Sequence, residues 1–257
     1  MTREIADPVP TDSPGAKEIG FAIPPTYNAS RILFDNLGKG RGDRLALTGP
    51  AGTRSYAELC ADASRWGNGF ISLGLRRGDR ILMFLDDTPT YPAAFFGAVR
   101  AGFVPLLINA LTPSDLLQFY LSDSDASVAV ADAEFCARFD AVACKDTALR
   151  TLIVVNGAAG DHAAPNAFVA EPWLQGFPAD LAEADTHRNE MAFWMYSSGS
   201  TGRPKGIAFN ESDATRMLQD FVKAKLVPYK YPREVKFIDE LPKTGTGKID
   251  RQALMRM

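Results

Sequence analysis

Hydrophobic residues between Asp43 and Met195 form short runs that alternate with longer periodic segments. The runs have the length of strands and are mostly apolar, which is typical of strands that are covered on both faces. They are Arg80–Leu85, Val104–Ile108, Ser127–Ala131, Leu152–Val155 and Met191–Met195. The alternation of such strands with helical segments predicts an α/β fold in which helices flank a parallel sheet.

The segments around these runs carry their own signals. Ser55 and Glu58 have the spacing of a capping box, and the helix that they open is expected to stop at Gly74. Thr112 is predicted to cap a later helix, with Pro113 as its first residue. The remaining predicted features are the strand Asp43–Thr48, the helix face Leu59, Ala63, Trp66 and Phe70, the helix Tyr91–Arg100, the helix face Leu116, Phe119 and Tyr120, the helix Ala133–Val142, and a surface excursion over Gly157–Asp185.

The charge of the 257-residue chain is nearly balanced, with 28 Lys and Arg against 31 Asp and Glu. This balance gives no overall attraction to nucleic acid. The cysteines lack metal-ligand spacing and are expected to be buried in a reducing compartment, so no metal site is predicted. Met1–Pro25 is polar and Pro-rich, without the apolar region of a signal peptide, and no run approaches the length of a membrane span. A cytoplasmic location is therefore expected.

The stretch richest in chemistry is Tyr196–Gly206, which reads Tyr-Ser-Ser-Gly-Ser-Thr-Gly-Arg-Pro-Lys-Gly. Glycines let backbone N–H groups approach a ligand, the hydroxyls donate hydrogen bonds, and the arginine and lysine add positive charge. This combination suits a polyphosphate. A Walker A loop is excluded, because the glycines are too close together and a proline precedes the lysine. The Ser-Gly-Ser-Thr-Gly core alone is also typical of a flexible turn.

The full string resembles the phosphate-binding loop of the AMP-forming adenylate synthetases, a family that includes acyl-CoA synthetases, adenylation domains and luciferases. A second glycine-flanked segment, Thr244–Lys248, is by itself typical of a solvated basic loop. Together with Pro228–Arg233 and the rest of Glu240–Lys248, it resembles the small C-terminal domain of the same family. Asp87–Gly102 and Pro105–Pro113 narrow the resemblance to the benzoate-CoA ligase group of acyl- and aryl-CoA ligases.

The resemblance implies two domains, both in shortened form. Residues 1–209 resemble the first part of the N-terminal AMP-binding domain, and residues 210–257 resemble the last part of the small α+β C-terminal domain. The central part of a full-length member is absent around Phe209–Asp213, and with it the segments for adenine, ribose and Mg²⁺ and most of the acyl pocket. An internal gene deletion, a truncated gene product and a composite sequence are all consistent with this pattern.

For the parent activity, the resemblance implies ATP-dependent ligation of a benzoate-like or related carboxylic acid to coenzyme A through an acyl-adenylate, with Mg²⁺. It assigns binding of the β- and γ-phosphates to Ser197, Ser198, Gly199, Ser200, Thr201, Gly202 and Lys205. It makes Lys248 the residue that stabilises the adenylation transition state. Two alternatives stay open: a non-catalytic remnant that binds phosphates or a full-length relative, and an adenylating enzyme whose acceptor is a carrier-protein thiol. Uncovered strand edges and apolar faces also predict self-association.

Overall fold

The computed structural model describes residues 23–158, 160–197 and 204–213. The helices in these ranges are α1 (Arg31–Gly38), α2 (Tyr56–Ser72), α3 (Thr90–Arg100), α4 (Ser114–Ser124) and α5 (Ala170–Leu174), with a 3₁₀-helix at Ala133–Arg138. The strands are β1 (Leu45–Gly49), β2 (Gly52–Ser55), β3 (Arg80–Phe84), β4 (Val104–Leu107), β5 (Val128–Asp132), β6 (Thr151–Val155), β7 (Ala167–Val169), β8 (Met191–Ser197) and β9 (Lys205–Asn210). Strands and helices alternate, as the hydrophobic pattern predicts.

A seven-stranded sheet organises the described part of the chain, in the order β7-β6-β5-β3-β4-β8-β9. Its neighbouring strands run parallel, except that β9 folds back antiparallel on β8. β1 and β2 form a separate antiparallel hairpin. The predicted parallel sheet is therefore confirmed. Its antiparallel last strand was not predicted, and it brings both β8 and β9 to the glycine-rich stretch.

Both faces of the sheet are buried, because successive side chains of a strand point to opposite sides. In β3, Ile81 and Met83 pack with α1, α2 and α3, whereas Leu82 and Phe84 pack with α4 and the 3₁₀-helix. β5 and β6 are buried at every position. Two apolar cores thus lie on the two sides of the sheet, which confirms the predicted flanking helices.

The predicted capping box opens α2. The Ser55 backbone N–H donates to Glu58 Oε2 at 2.8 Å, and the Glu58 N–H donates to Ser55 Oγ at 3.2 Å. Farther along the helix, Trp66 is 2% exposed and belongs to the core, as predicted. α2 approaches α3 so closely that a Cβ on Gly97 would lie 2.4 Å from the Ala63 carbonyl oxygen. Only glycine fits at this crossing, which holds the two helices together over one face of the sheet.

The predicted start of α4 is wrong by one residue. Pro113 has extended backbone angles, φ −78° and ψ 165°, so it precedes the helix and Ser114 is the first helical residue. The Pro113 carbonyl accepts the Leu117 N–H at 2.9 Å. The buried residues of α4 are Leu117, Tyr120, Leu121 and Ser124. Leu116 and Phe119 are only partly buried, because the core beneath α4 is centred on the line from Leu117 to Leu121.

The predicted helix Ala133–Val142 is correct only in its first half. The 3₁₀-helix ends at Arg138, and Phe139 leaves helical geometry with φ −83° and ψ 51°. Asp140 then opens a new turn, in which its carboxylate accepts the backbone N–H groups two and three residues further on, both at 2.8 Å. Aspartate side chains compete in this way with a continuing helix.

The predicted surface excursion Gly157–Asp185 is wrong for its middle part, which contains β7 and α5. β7 extends the sheet beside β6. Trp173 of α5 packs edge-on against Trp66, with ring centroids 6.2 Å apart. The Glu183 carboxylate pairs with Arg31 of α1. The segment therefore packs against α1 and α2. The three residues of β7 form too short an apolar run to indicate a strand in the sequence.

Candidate functional site

The glycine-rich loop joins β8 to β9 at the tip of a hairpin. In the ladder between these strands, Ser197 lies opposite Lys205, and Tyr196 lies opposite Gly206. β8 also runs parallel to its other neighbour, β4. The loop therefore begins at the carboxyl end of a parallel strand, at the edge where open α/β sheets bind ligands.

Of the predicted site residues, the structure describes the two at the base of this loop. Lys205 is exposed as the first residue of β9, and the backbone of Ser197 forms the last position of β8. Ser198, Gly199, Ser200, Thr201, Gly202 and Lys248 lie outside the described residues, so their roles stay predictions. The structure thus brings together a strand end and an exposed ammonium-bearing residue across the hairpin, an arrangement that can receive an anion.

Aromatic side chains fill one side of the hairpin next to the loop. The Tyr196 ring stacks on Tyr120 of α4, with centroids 4.3 Å apart, and on Trp194 at 5.6 Å. Phe119 meets the Tyr196 ring edge-on at 6.0 Å. Ring pairs in this range are favourable beyond the area that they bury. The first leg of the hairpin is therefore held against α4.

A hydrogen bond strengthens this contact. The Tyr196 hydroxyl donates to Asp123 Oδ2 at 2.7 Å. Burial, together with the hydrogen bond to the Asp123 carboxylate, raises the pKa of the Tyr196 phenol above its usual value. The hydroxyl therefore keeps its proton at neutral pH and remains a donor to the carboxylate, which makes this a charge-assisted hydrogen bond.

The second leg of the hairpin contacts the same aromatic cluster through a glycine. A Cβ on Gly206 would lie 2.3 Å from Nε1 of Trp194, closer than two such atoms can approach. The indole therefore lies against β9 only because this position has no side chain. Trp194 Nε1 is buried and has no hydrogen-bond partner in the part of the chain that the structure describes.

Reasoning from the sequence missed this aromatic cluster. The hydrophobic pattern identifies Met191–Met195 as one buried strand without separating the residues that share a face. Because alternate residues of a strand lie on the same side, the spacing of Trp194 and Tyr196 is a usable signal for a shared face. Nothing in the sequence points to Asp123 as the hydrogen-bond partner.

The other side of the hairpin is more open. Phe193 and Phe209 stack there with ring centroids 4.6 Å apart, and Phe193 also meets Phe95 of α3 edge-on. Nearer the loop, Met195 and Ile207 pair across the strands and are 38% and 43% exposed. The hairpin thus has one filled side and one open side at the end that carries the loop.

A buried carboxylate ties neighbouring strand ends at the same edge of the sheet. Asp132, which is 4% exposed, accepts the Asp86 N–H at 2.7 Å and the Asn156 side-chain amide at 2.5 Å. These residues end β5 or follow β3 and β6, so the contact fixes the carboxyl ends of three adjacent strands. Both oxygens of Asp132 have partners, which indicates a structural role.

A cleft of about 380 Å³ opens beside α2, α3 and α5. Its charged side chains already have partners. Asp62 accepts hydrogen bonds from Arg54 and Arg65, both at 3.2 Å. Glu171 accepts the Asn156 backbone N–H at 3.0 Å. These pairs stabilise the surface around the cleft, and the loop-bearing hairpin remains the candidate site.

At the loop end of the hairpin, the described residues offer an exposed lysine beside a strand end, which suits an anion. Across residues 23–158, 160–197 and 204–213, no group of three or more His, Cys, Asp and Glu side chains is placed to hold a metal ion.

The helices in these ranges are too short or too polar for any of them to cross a membrane.

Sequence comparisons place the chain among known proteins. The family model for AMP-binding enzymes matches residues 34–234. A 4-hydroxybenzoate–CoA/benzoate–CoA ligase of Rhodopseudomonas palustris is 36% identical over 195 residues, which are 76% of this chain and 35% of that protein. A benzoate–CoA ligase of Thauera aromatica is 35% identical over 193 residues, which are 74% of this chain and 35% of that protein. The chain thus spans about a third of the length of these relatives.

Solved structures agree with this result. An anthranilate CoA ligase in complex with anthranoyl-AMP gives a TM-score of 0.70 at 27% identity, with 77% of this chain and 37% of that chain covered. ATP-bound MatB from Rhodopseudomonas palustris gives a TM-score of 0.62 at 25% identity over 77% of this chain and 37% of that chain. The resemblance seen in the sequence motifs is confirmed: the chain belongs to the AMP-binding enzyme family.

Proposed function

We propose that this chain carries the phosphate-binding part of an AMP-forming acid–CoA ligase that acts on an aromatic or related carboxylic acid. One observation carries the proposal: the glycine-rich loop joins β8 to β9 at the carboxyl edge of a parallel sheet, with Lys205 exposed at its base. The choice of an aromatic acid is supported by the relatives, which are benzoate– and hydroxybenzoate–CoA ligases.

In the proposed reaction, the substrate carboxylate attacks the α-phosphate of ATP and pyrophosphate leaves, after which coenzyme A displaces AMP. The substrate supplies its own nucleophile, so the protein acts through positioning and electrostatics. Backbone N–H groups and hydroxyls of Ser197–Gly202 bind the β- and γ-phosphates, and the Lys205 ammonium offsets their charge. Mg²⁺, when bound, neutralises further phosphate charge.

In this proposal the second domain lies after Ser212, because Asn210 ends β9 and the N–H groups of Glu211 and Ser212 still donate to the segment before β8. Lys248 stabilises the charge that builds up as the carboxylate attacks the α-phosphate. Two glycines, Gly245 and Gly247, precede it in the sequence, and glycine restricts the backbone least of all residues. Lys248 is therefore the residue whose replacement separates catalysis from phosphate binding.

The absence of the family's central segments around Phe209–Asp213, which the resemblance implies, favours a second candidate, which is phosphate binding with little or no catalysis. The alignments cover 35% of the benzoate–CoA ligase relatives. Aligning the reactants can account for roughly 7–11 kcal/mol of a barrier. Loss of about half of that would slow adenylation on the order of a thousandfold, because each ~1.4 kcal/mol is a factor of ten.

Pyrophosphate release with ATP, Mg²⁺ and benzoate tests the first candidate. We expect benzoate-dependent release that is on the order of a thousandfold slower than in a full-length relative assayed alongside, and that disappears in Lys248→Ala. Adding coenzyme A or a carrier protein then identifies the acceptor. Saturable pyrophosphate binding without release would favour the second candidate, and the absence of both would contradict both.

A further inference from the structure

The loop end of the β8–β9 hairpin is held by a small set of contacts that lie on one side. Tyr196 stacks on Tyr120 and donates its hydroxyl to Asp123 Oδ2 at 2.7 Å. On the return strand, Gly206 lies against the indole of Trp194. The opposite side of the hairpin is open at this end, and the pairing of β8 with β4 ends at Met195. Beyond Met195, these side-chain contacts hold the hairpin against the rest of the sheet.

The contacts differ in how narrowly they fix geometry. Stacked rings tolerate a range of offsets and centroid distances. A hydrogen bond, in contrast, weakens steeply when its angle or length changes. The bond from Tyr196 to Asp123 is therefore the contact that sets the direction in which the chain leaves β8. Its acceptor is well anchored, because α4 buries Leu117 and Leu121 completely in the core.

We propose that Tyr196 and Asp123 are positioning residues for the phosphate loop, whose hydrogen bond fixes β8 where the loop begins at Ser197 and so supports its binding of pyrophosphate. This inference rests on the function proposed above. Neither side chain contacts the ligand in this proposal. Tyr196 acts through the backbone that it holds, and Asp123 acts through Tyr196.

Three substitutions separate this role from simple packing. Tyr196→Phe keeps the stacked ring and removes only the hydroxyl. Asp123→Ala removes the acceptor, whereas Asp123→Asn keeps an oxygen that can accept the same hydroxyl proton. A positioning role predicts that the first two variants behave alike and that the asparagine variant is close to the wild type.

The test uses the full 257-residue chain and inorganic pyrophosphate, with calorimetry for affinity and amide hydrogen exchange across residues 197–206 for the loop. Asp123 is exposed, so water competes for the bond and the expected effect is moderate. We expect Tyr196→Phe and Asp123→Ala each to weaken pyrophosphate binding about fivefold and to accelerate exchange. Asp123→Asn should stay within about twofold, and combining Tyr196→Phe with Asp123→Ala should add nothing further.

Tyr56→Phe is the matched control, since it removes a hydroxyl from a partly buried tyrosine at the start of α2. It should leave both affinity and exchange unchanged. Thermal midpoints measured on every variant report global stability. A loss of affinity at an unchanged midpoint, reversed by the asparagine variant, is a result that a merely structural role would not give.

The possible failures can be told apart. Equal affinity and equal exchange in the wild type and Tyr196→Phe would overturn the positioning role and leave the proposed function intact. Affinity that falls only in step with the thermal midpoint would assign the pair a structural role and overturn the proposal. A wild-type chain that binds no pyrophosphate would overturn the proposed function and, with it, the role of the pair in ligand binding.

Discussion

The central strands and the loop-bearing hairpin belong to one sheet but are enclosed differently. β5 and β6 are buried at every position, and fully buried rings such as Phe84 fill the core beside them. In the hairpin, aromatic rings cover one side, whereas Met195 and Ile207 on the other side are 38% and 43% exposed. The stability of the sheet and the geometry of the hairpin end therefore depend largely on different residues, with Tyr120 shared between them, and substitutions should separate the two.

The two ends of the hairpin differ as well. The loop end carries the exposed Lys205, whereas the base is closed by Glu211, which is 2% exposed and accepts the Ala29 N–H at 2.5 Å. Backbone N–H groups of Glu211 and Ser212 also donate to carbonyls of the segment before β8, at 2.9 and 3.0 Å. Burial raises the pKa of Glu211 to about 8. Changes in pH should therefore act on the base of the hairpin.

The largest expected effect comes from the central core. Phe84 is fully buried and stacks on Phe135 with ring centroids 4.7 Å apart. Phe84→Ala should lower the free energy of unfolding by about 3–5 kcal/mol, because it leaves a cavity that the sheet cannot close. Pyrophosphate affinity of the folded fraction should stay unchanged. Chemical denaturation and calorimetry on one preparation measure both quantities.

The control for this variant is Leu111→Ala. Leu111 is 83% exposed, so this substitution should change the free energy of unfolding by less than about 0.5 kcal/mol. If Phe84→Ala reduced the free energy of pyrophosphate binding as much as the free energy of unfolding, the separation between the core and the loop would be wrong.

The second effect concerns pH. The Glu211 pKa, about 8 in the folded chain, lies above the usual value of 4.5, so the folded state holds a proton that the unfolded state releases above about pH 4.5. The stability from this group is thus fully present below about pH 4.5 and is lost as the pH rises to about 8. The slope is at most about 1.4 kcal/mol per pH unit.

Glu211→Gln removes this ionisation and keeps a similar shape, so its stability should vary less between pH 5 and 8 than that of the wild type. Thermal midpoints across this range measure the difference, and other titrating groups cancel in it. Parallel curves for the two proteins would show that Glu211 does not titrate in this window.

The smallest expected effect on stability comes from the loop end of the hairpin. Gly206→Ala places a Cβ against the Trp194 indole, and the strained contact should cost about 1–3 kcal/mol. Because the leg of the loop must shift, pyrophosphate affinity should fall more in this variant than in Phe84→Ala. Gly49→Ala is the matched control, since no atom lies within 4 Å of its Cβ position. A larger loss of affinity in the control would refute the role of the Gly206 contact.

Much of the sheet could be predicted from the sequence, because buried parallel strands are apolar throughout and the helices between them keep their periodicity. The capping box at Ser55 and the core position of Trp66 followed from local spacing. The predictions failed where the local signal was short or ambiguous. β7 is too brief to stand out, and the carboxylate of Asp140 ends a helix that propensity alone would extend.

Part of the candidate site could likewise be predicted from the sequence, and part of it could not. The motif places Ser197 and Lys205 on one loop, and the structure puts them opposite each other across the hairpin. The antiparallel course of β9 was missed, because the polar residues from Asn210 onward suggested an interruption. The contact between Tyr196 and Asp123 joins residues 73 positions apart, so it depends on the packing of α4 and has no local signal.

Phosphate binding by the glycine-rich loop can be measured by calorimetric titration of inorganic pyrophosphate into the wild-type chain and into a Gly199→Val, Gly202→Val double variant. We expect saturable binding by the wild type and at least about tenfold weaker binding by the variant, with equal thermal midpoints, because added side chains keep the backbone N–H groups from the phosphates. Equal affinity in the two proteins would contradict the claim that this loop binds phosphate.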